Sequence, residues 1–309
     1  MKIDNRIKFF LPLALFCAVI YLTYKEQFEV AVPLFFLMFI ILIFFVIIGK
    51  DDLEEEVSEE AVPAAGSIPK TPSLTYYGDE LNFSNEELTT ILTKHFPYYN
   101  TLTADEQQRF LLRLQNFLQI KTFKIHDKQG FKEMPVLISA AAIQLTFGLD
   151  KYLLPHFEFI HVYPEEFMRV QPAICFLEGN VSGHSINLSW KHFMQGYSNG
   201  NDGQNVGLHE LAHALYYQTF EVEENVDSGF RDMYSNYVKD SNKVYHTELN
   251  NIGGLYSDYA IKNLQEFWAE SAELFFEKPN ELKSFYPQLY QTMIYLLNQD
   301  PLNKISTVA

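Results

Sequence analysis

Two histidines and a glutamate in the second half of the chain have the types and the spacing that zinc chemistry requires. Residues 205–215 contain the pattern His-Glu-x-x-His, formed by His209, Glu210 and His213. Imidazole nitrogens bind Zn²⁺ readily, and a catalytic zinc site needs three protein ligands and one position open for water. Glu210, next to the first histidine, can take a proton from a water that the metal activates. The pattern therefore predicts hydrolysis at a carbonyl group, with a third ligand still to be found.

The two histidines can meet one ion only if a helix carries them. Residues four apart on a helix project from the same face, so His209 and His213 would point to a common ligand. The same segment has an apolar face that can pack in a core, formed by Leu208, Leu211, Ala212 and Leu215. The alternative interpretation is a buried structural helix that contains two histidines and a surface glutamate by chance.

Spacing alone does not identify the third zinc ligand. Candidates downstream of the pattern are Glu221, Glu223, Glu224, Asp227 and His246. A further acidic segment lies in residues 256–279, where glutamates at positions 266, 270, 273 and 277 share one face of a predicted helix. Taken by itself, such a face is typical of a solvated surface above an aromatic core.

The composition allows a large folded domain and excludes one class of function. The chain has 309 residues, 48% of them hydrophobic, and a formal net charge of −16. Nucleic-acid binding is not expected, because no basic stripe is present to neutralise phosphates. The two cysteines, Cys17 and Cys175, are far apart in the sequence, so no disulfide framework is predicted and a reducing compartment is allowed.

Two apolar segments predict a transmembrane hairpin of two helices over residues 1–50. Residues 9–24 and 31–49 are mostly apolar and approach the roughly twenty residues that a bilayer core requires. A cleaved signal peptide is the alternative for the first segment, although no small-x-small cleavage site follows it. Basic residues precede the first span, so the positive-inside rule places the N-terminus in the cytoplasm. Two crossings return the chain there, and we expect a protein of the cytoplasmic (inner) membrane whose globular part faces the cytoplasm.

Residues 51–80 separate this hairpin from the globular part. The segment is acidic at first and then rich in Pro, Ala, Ser and Thr, a composition that predicts a flexible tether. Its charge run is typical of a solvated spacer rather than a binding site. The predicted domains are therefore the hairpin over residues 1–50, the tether over residues 51–80 and one globular domain over residues 81–309.

The globular domain has signals for both helices and strands. Capping boxes predict helices that begin after Ser84 and Thr103, and strand-like patterns mark residues 159–163 and 185–190. The second strand comes shortly before the His-Glu-x-x-His helix. Because an edge strand beside a zinc site commonly pairs with extended substrate, we interpret residues 185–190 either as such a strand or as an ordinary internal strand.

Longer motifs in the globular domain resemble one known family. In chain order, the matching segments are residues 162–167 (VYPEEF), 188–190 (LSW), 203–213 (GQNVGLHELAH), 259–260 (YA), 266–267 (EF), 273–279 (ELFFEKP), 287–290 (PQLY) and 298–301 (NQDP). In these segments the chain resembles the zinc peptidases of the Mlc titration factor A type, which are similar in turn to the catalytic domain of anthrax lethal factor. The resemblance implies an α+β, zincin-like fold that is mostly helical with a small sheet.

The resemblance also implies roles for residues beyond the His-Glu-x-x-His pattern. Glu266 corresponds to the third zinc ligand, and Tyr259 to a tyrosine that can donate to the oxyanion formed when water adds to a peptide carbonyl. Glu273 matches a position that could support a ligand histidine from behind. The chain departs from the family at Tyr216, where an aspartate is common, and in residues 221–227. These departures bear on substrate specificity rather than on zinc.

The sequence therefore predicts a membrane-tethered zinc metallopeptidase acting on a peptide or protein. Zn²⁺ is held by His209, His213 and Glu266, Glu210 is the general base, and Tyr259 stabilises the oxyanion. One alternative is a regulatory protein that sequesters a partner such as a transcriptional regulator, a role that the resemblance implies. Another is a zinc-stabilised scaffold with a closed four-ligand site. The intact general base favours catalysis, because a pure binding module does not need one.

Overall fold

A computed structural model describes residues 72–169, 175–249 and 254–303. The predicted transmembrane hairpin over residues 1–50 and most of the predicted tether lie outside these described residues. Within them, every helix is too short or too polar to cross a membrane. The described part is mostly helical with a small mixed sheet, which agrees with the predicted α+β class and is consistent with a zincin-like domain.

The described residues form seven strands and ten α-helices. The strands are β1 (Leu74–Tyr77), β2 (Thr122–Ile125), β3 (Phe159–Tyr163), β4 (Phe167–Arg169), β5 (Cys175–Leu177), β6 (Gly179–Ser182) and β7 (Ser185–Ser189). The helices are α1 (Asn85–His95), α2 (Pro97–Thr101), α3 (Ala104–Gln119), α4 (Glu133–Thr146), α5 (Trp190–Ser198), α6 (Val206–Tyr217), α7 (Ser228–Glu248), α8 (Leu264–Glu277), α9 (Pro279–Phe285) and α10 (Pro287–Leu297). A π-helical turn, Gln218–Val222, follows α6.

Five strands form the main sheet, in the order β1-β2-β3-β7-β6. The central strands β2, β3 and β7 run parallel, whereas β1 and β6 pair antiparallel at the two ends. Strand β1 lies before residue 81, so the sheet includes residues that the sequence pattern assigned to the tether. The short run Leu74–Tyr77 is recognisable as a strand only through its pairing with β2.

The structure corrects the proposed edge strand. Strand β7 lies between β3 and β6 and is an internal strand, so the edge-strand interpretation of residues 185–190 is wrong. The neighbouring edge belongs to β6, which pairs with β7 alone among the described strands. Its sequence, Gly-Asn-Val-Ser, is short and polar and lacks the apolar alternation that marks β7. Gly183, with a φ of 53°, makes the tight connection between the two strands possible.

Helix α4 lies at the centre of the core. All its residues from Met134 to Thr146 are buried, and it packs against α3 and α6. Both predicted capping boxes are confirmed, at Ser84 with Glu87 and at Thr103 with Glu106. Helix α4 is thus the core element against which α6, the helix of the His-Glu-x-x-His pattern, packs.

Candidate active site

Helix α6 positions the His-Glu-x-x-His pattern, as the sequence predicts. The side-chain oxygen of Asn205 caps the helix by accepting a hydrogen bond from the Leu208 amide at 3.0 Å. The predicted apolar face is buried: Leu208, Leu211 and Ala212 are fully inaccessible to solvent, and Leu215 nearly so. Burial of that face fixes the rotation of the helix, so His209 and His213 project from the other side.

Helix α8 brings Glu266 to the two histidines. Asn263 caps α8, and its side-chain oxygen accepts hydrogen bonds from the amides of Gln265 and Glu266. Glu266 therefore lies in a fixed first turn. Two residues later, the buried Trp268 donates from its indole N–H to the Ala212 carbonyl on α6 at 2.8 Å. This bond joins the two helices that carry the three candidate ligands.

The candidate ligands converge on one point. His209 Nε2 lies 3.1 Å from His213 Nε2 and 3.1 Å from Glu266 Oε2, and His213 Nε2 lies 3.3 Å from the same oxygen. A tetrahedral zinc ion with bonds of about 2.0–2.1 Å separates its ligand atoms by roughly 3.3 Å. Two imidazole nitrogens and one carboxylate oxygen are also a common zinc donor set. The three side chains therefore fit Zn²⁺ in both spacing and chemistry.

The other candidates for the third ligand lie outside this group. Asp227 caps α7 through the Phe230 amide, and Glu223 forms an ion pair with Arg231. Glu221 lines the same cleft, but among the described residues the group that could hold an ion there is His209, His213 and Glu266. Glu224 and His246 do not belong to it either.

Glu273 supports His209 from behind. Its Oε1 lies 2.7 Å from His209 Nδ1, and its Oε2 accepts a hydrogen bond from the Asn205 amide. A carboxylate on Nδ1 leaves Nε2 as the nitrogen that is available to a metal. Burial disfavours a charged His209, but hydrogen bonds to Glu266 and Glu273 outweigh burial and raise its pKa well above the usual value. In the absence of a cation, the acids around this imidazole thus favour a proton there.

Glu210 lies in the same cleft but is almost fully buried. Only 6% of its surface is exposed, and burial raises its pKa to about 7. The backbone of β6 approaches it closely, because a Cβ atom placed on Gly179 would lie 2.5 Å from Glu210 Cγ. Glycine is therefore needed at position 179 to leave room for this carboxylate.

Tyr259 borders the candidate ligands from the segment before α8. Its hydroxyl donates to Glu266 Oε1 at 3.4 Å, and 48% of the residue is exposed. The Ser257 amide and hydroxyl both donate to Glu270 on α8, at 2.7 and 2.5 Å, which holds this segment in place. The structure thus brings Tyr259 close to the ligand group, as the spacing to Glu266 requires.

A cleft of about 500 Å³ surrounds these residues. Strand β6 and Gly183 form one wall, and Tyr216 and Tyr217 lie on another. Arg169, at the end of β4, also lines the cleft. No sequence pattern marks β6 or Arg169 as part of the site. A short polar strand and a single arginine have no local pattern that would separate them from ordinary surface.

A match to a family model shows which protein family the chain belongs to. The family model described as glucose-regulated metallo-peptidase M90 matches residues 80–296. The chain belongs to the M90 family. This confirms the resemblance to peptidases of the Mlc titration factor A type. The protein is also 29% identical over 231 residues to uncharacterized protein slr2042 of Synechocystis sp., an alignment that covers 69% of this chain and 83% of that protein.

Membership of the M90 family sets the general class of activity. The family consists of metallopeptidases, which implies a divalent metal, typically zinc, and a peptide or protein as substrate. The match at residues 80–296 includes α6 and α8. The converging side chains of His209, His213 and Glu266 therefore lie inside the region that defines the family.

Proposed function

We propose that this M90 peptidase hydrolyses peptide bonds with Zn²⁺ bound by His209, His213 and Glu266. The observation that carries the proposal is the convergence of three ligand atoms, 3.1 to 3.3 Å apart, beside a buried glutamate. When bound, the ion supplies Lewis acidity, which polarises a carbonyl oxygen and brings the pKa of a water molecule to about 7. The three ligands leave one position open, as a catalytic site requires.

Glu210 is the proposed general base. Its carboxylate takes a proton from the attacking water and then delivers it to the leaving amine. A pKa of about 7 suits both steps, because the group can accept and release a proton near neutral pH. Tyr259 donates a hydrogen bond to the oxygen on which negative charge develops. Burial raises the pKa of Tyr259 to about 12, so the phenol keeps its proton at neutral pH.

Strand β6 is the proposed binding edge for the substrate backbone. Its residues line the cleft, and its outer edge is not paired with any strand in the described ranges. An extended peptide can add to such an edge through main-chain hydrogen bonds. The side-chain oxygen Oδ1 of Asn180 is buried there without a partner in the described structure, and it can accept a further hydrogen bond from substrate. The contact between Gly179 and Glu210 would bring that peptide next to the base.

The site is proposed to act at the cytoplasmic face of the inner membrane. The apolar residues 9–24 and 31–49 support a two-span anchor, and the basic residues before them support a cytoplasmic N-terminus. The acidic segment that follows would hold the peptidase domain away from an anionic bilayer surface.

A pair of variants tests the proposed chemistry. We expect Glu210→Gln to lose at least about a hundredfold in kcat/KM while keeping its zinc, because only the proton acceptor is removed. Glu281→Gln, an exposed glutamate on α9, is the matched control and should keep full activity. Peptidase assays with unstructured peptides and metal analysis give the two readouts. Equal activity of Glu210→Gln and the native protein would refute the catalytic proposal and favour a binding role.

The metal ligands are tested separately. Glu266→Ala should lose most of its bound zinc during dialysis, because two imidazoles alone hold the ion weakly. Stoichiometric zinc in the dialysed variant would show that the third ligand lies elsewhere.

A further inference from the structure

A second cavity of about 350 Å³ lies in the same domain and shares no lining residue with the catalytic cleft. Its walls come from α2, α3, the end of α4, α5, α8 and the segment after α10, together with Asn205 before α6. The volume falls in the range of small-molecule sites, roughly 300 to 1,000 Å³. The cavity is therefore large enough for a ligand of its own.

Two polar groups of opposite charge line this cavity with unused hydrogen-bonding atoms. Glu277 is 7% exposed, and burial raises its pKa to about 7. Its Oε1 accepts from the Asn205 side chain at 2.9 Å and the Gly203 backbone also bonds to this carboxyl group, but its buried Oε2 has no side-chain partner in the described structure. The buried Nε of Arg109 also lacks one there. Leaving such atoms unsatisfied destabilises the folded protein, and more so when they are charged. Each is rare in a folded protein and calls for an explanation.

The remaining polar groups of the cavity have partners. The Tyr98 hydroxyl donates to Gln299 at 2.7 Å, and the Gln299 amide donates to the Gln144 carbonyl at 3.0 Å. Glu106 accepts capping-box bonds from Thr103. The donor of Arg109 and the acceptor of Glu277 are therefore the groups left for a ligand.

Aromatic rings form the apolar part of the cavity wall. The Tyr98 ring lies 6.1 Å from that of Phe276 and 6.4 Å from that of Phe147, measured between centroids. The Arg109 guanidinium stacks on Phe147 at 4.3 Å, which holds its plane in position. A ligand for this cavity should combine an apolar side chain with one positive and one negative group.

We propose that this cavity binds a small amphipathic zwitterion, an amino acid or dipeptide with an apolar side chain. Its ammonium group contacts Glu277, and its carboxylate contacts Arg109. The charges then cancel inside the cavity, and both buried atoms gain a partner. Molecules of this class are also what a peptidase releases, so the cavity can report the level of product; this last point rests on the proposed function.

A hydrogen-bond chain leads from this cavity to the candidate metal ligands. Glu277 accepts from the Asn205 side chain, the Asn205 amide donates to Glu273, and Glu273 contacts His209 Nδ1. Asn205 also caps α6. A ligand that bonds to Glu277 would therefore affect Asn205. Asn205 caps α6 and also donates to Glu273, the residue that contacts His209.

Direct binding to the full chain tests the proposal without any assay of activity. Isothermal titration calorimetry with L-phenylalanine and L-alanyl-L-phenylalanine should detect saturable binding of at least one of them. N-acetyl-L-phenylalanine lacks the ammonium group and L-phenylalaninamide lacks the carboxylate, and each should bind at least tenfold more weakly than L-phenylalanine. Failure of both zwitterions to bind, or equal binding of the blocked analogues, would overturn the proposal.

Two variants assign the contacts. Arg109→Met should bind L-phenylalanine and L-phenylalaninamide equally, because the partner of the carboxylate is gone. Glu277→Gln should likewise bind L-phenylalanine and its N-acetyl form equally. Binding should survive in Glu266→Ala, which alters only the catalytic cleft. Loss of binding in Glu266→Ala would place the ligand in that cleft and refute the second site. Absence of peptidase activity would leave these binding results unchanged.

Discussion

Glu210 and Glu266 line one cleft, yet their surroundings give them opposite acid strengths. Burial raises the pKa of Glu210 to about 7. Burial also disfavours the charge of Glu266, but its close contacts with the imidazoles of His209 and His213 outweigh burial and lower its pKa to about 2. Glu266 is therefore a permanent anion, as a metal ligand should be, whereas Glu210 can exchange a proton near neutral pH. Local environment alone thus separates the proposed ligand from the proposed base.

Tyr259 provides a first test at the residue scale. We expect Tyr259→Phe to lower kcat/KM by about a hundredfold, the usual effect of removing one oxyanion donor. Zinc content should not change, because the phenol contacts Glu266 only at 3.4 Å. Tyr217→Phe is the matched control, since Tyr217 is an exposed tyrosine of the same cleft. Peptidase kinetics and metal analysis of both variants check this, and equal losses in the two would refute the assigned role.

Lys121 provides a test that concerns stability rather than activity. Its ammonium nitrogen is buried and donates to the carbonyls of Leu154 and Phe157, both at 2.7 Å. Burial lowers its pKa to about 7, far below that of a lysine in an unfolded chain. The unfolded state therefore binds more protons above pH 7, and the free energy of unfolding should rise with pH until the unfolded lysine titrates.

The expected change can be measured against a variant without the titrating group. Between pH 7 and pH 9 the native protein should gain up to about 2 kcal/mol in free energy of unfolding relative to Lys121→Met. Urea unfolding at both pH values provides the measurement. A constant difference between the two proteins would show that Lys121 does not titrate in this range.

At the scale of the element, the start of each helix determines where the ligands point. Asn205 caps α6 before the histidines, and Asn263 caps α8 just before Glu266. Because Glu266 lies in the first turn of α8, fraying of that turn would move a ligand. If Glu266 is a zinc ligand, as proposed, capping is linked to the metal at this helix and not at helices far from the site.

Two N-cap variants test this link. Asn263→Ala and Thr103→Ala should each lower the free energy of unfolding by about 1 kcal/mol, the usual cost of removing a cap. Only Asn263→Ala should also weaken zinc binding, by roughly tenfold or more, as changes behind a ligand commonly do. Denaturant unfolding and zinc competition with a chelator give the two values. Equal zinc affinity in both variants would show that the first turn of α8 is held by other contacts.

Elements with strong local signals could be predicted from the sequence, and elements defined by their partners could not. The capping boxes at Ser84 and Thr103 predict the starts of α1 and α3, because each box depends on only four consecutive residues. The signal for the helix that bears His209 is equally local, because it lies within residues 205–215. Strands β1 and β6 are short and become strands only through pairing with β2 and β7. The choice of Glu266 over Glu221 likewise depends on packing between α6 and α8, which no local pattern encodes.

At the scale of the whole molecule, the predicted anchor determines where the peptidase meets its substrate. We expect the full chain to sediment with membranes and a chain lacking residues 1–50 to remain in the supernatant. A C-terminal tag should resist protease added outside intact spheroplasts, because two spans would return the chain to the cytoplasm. Fractionation and protease protection check both points. Digestion of the tag from outside would mean an odd number of crossings.

If substrate pairs with the outer edge of β6, as proposed, that edge limits what this enzyme can attack. A substrate chain that pairs with that edge needs backbone amides and carbonyls that are free to form hydrogen bonds. In a folded protein these groups are already hydrogen-bonded within the protein. Compact proteins would thus be spared, and the natural targets would be tails, loops and damaged or newly made chains. Such a peptidase would choose its substrates by whether their backbone is unfolded and accessible rather than by the identity of their side chains.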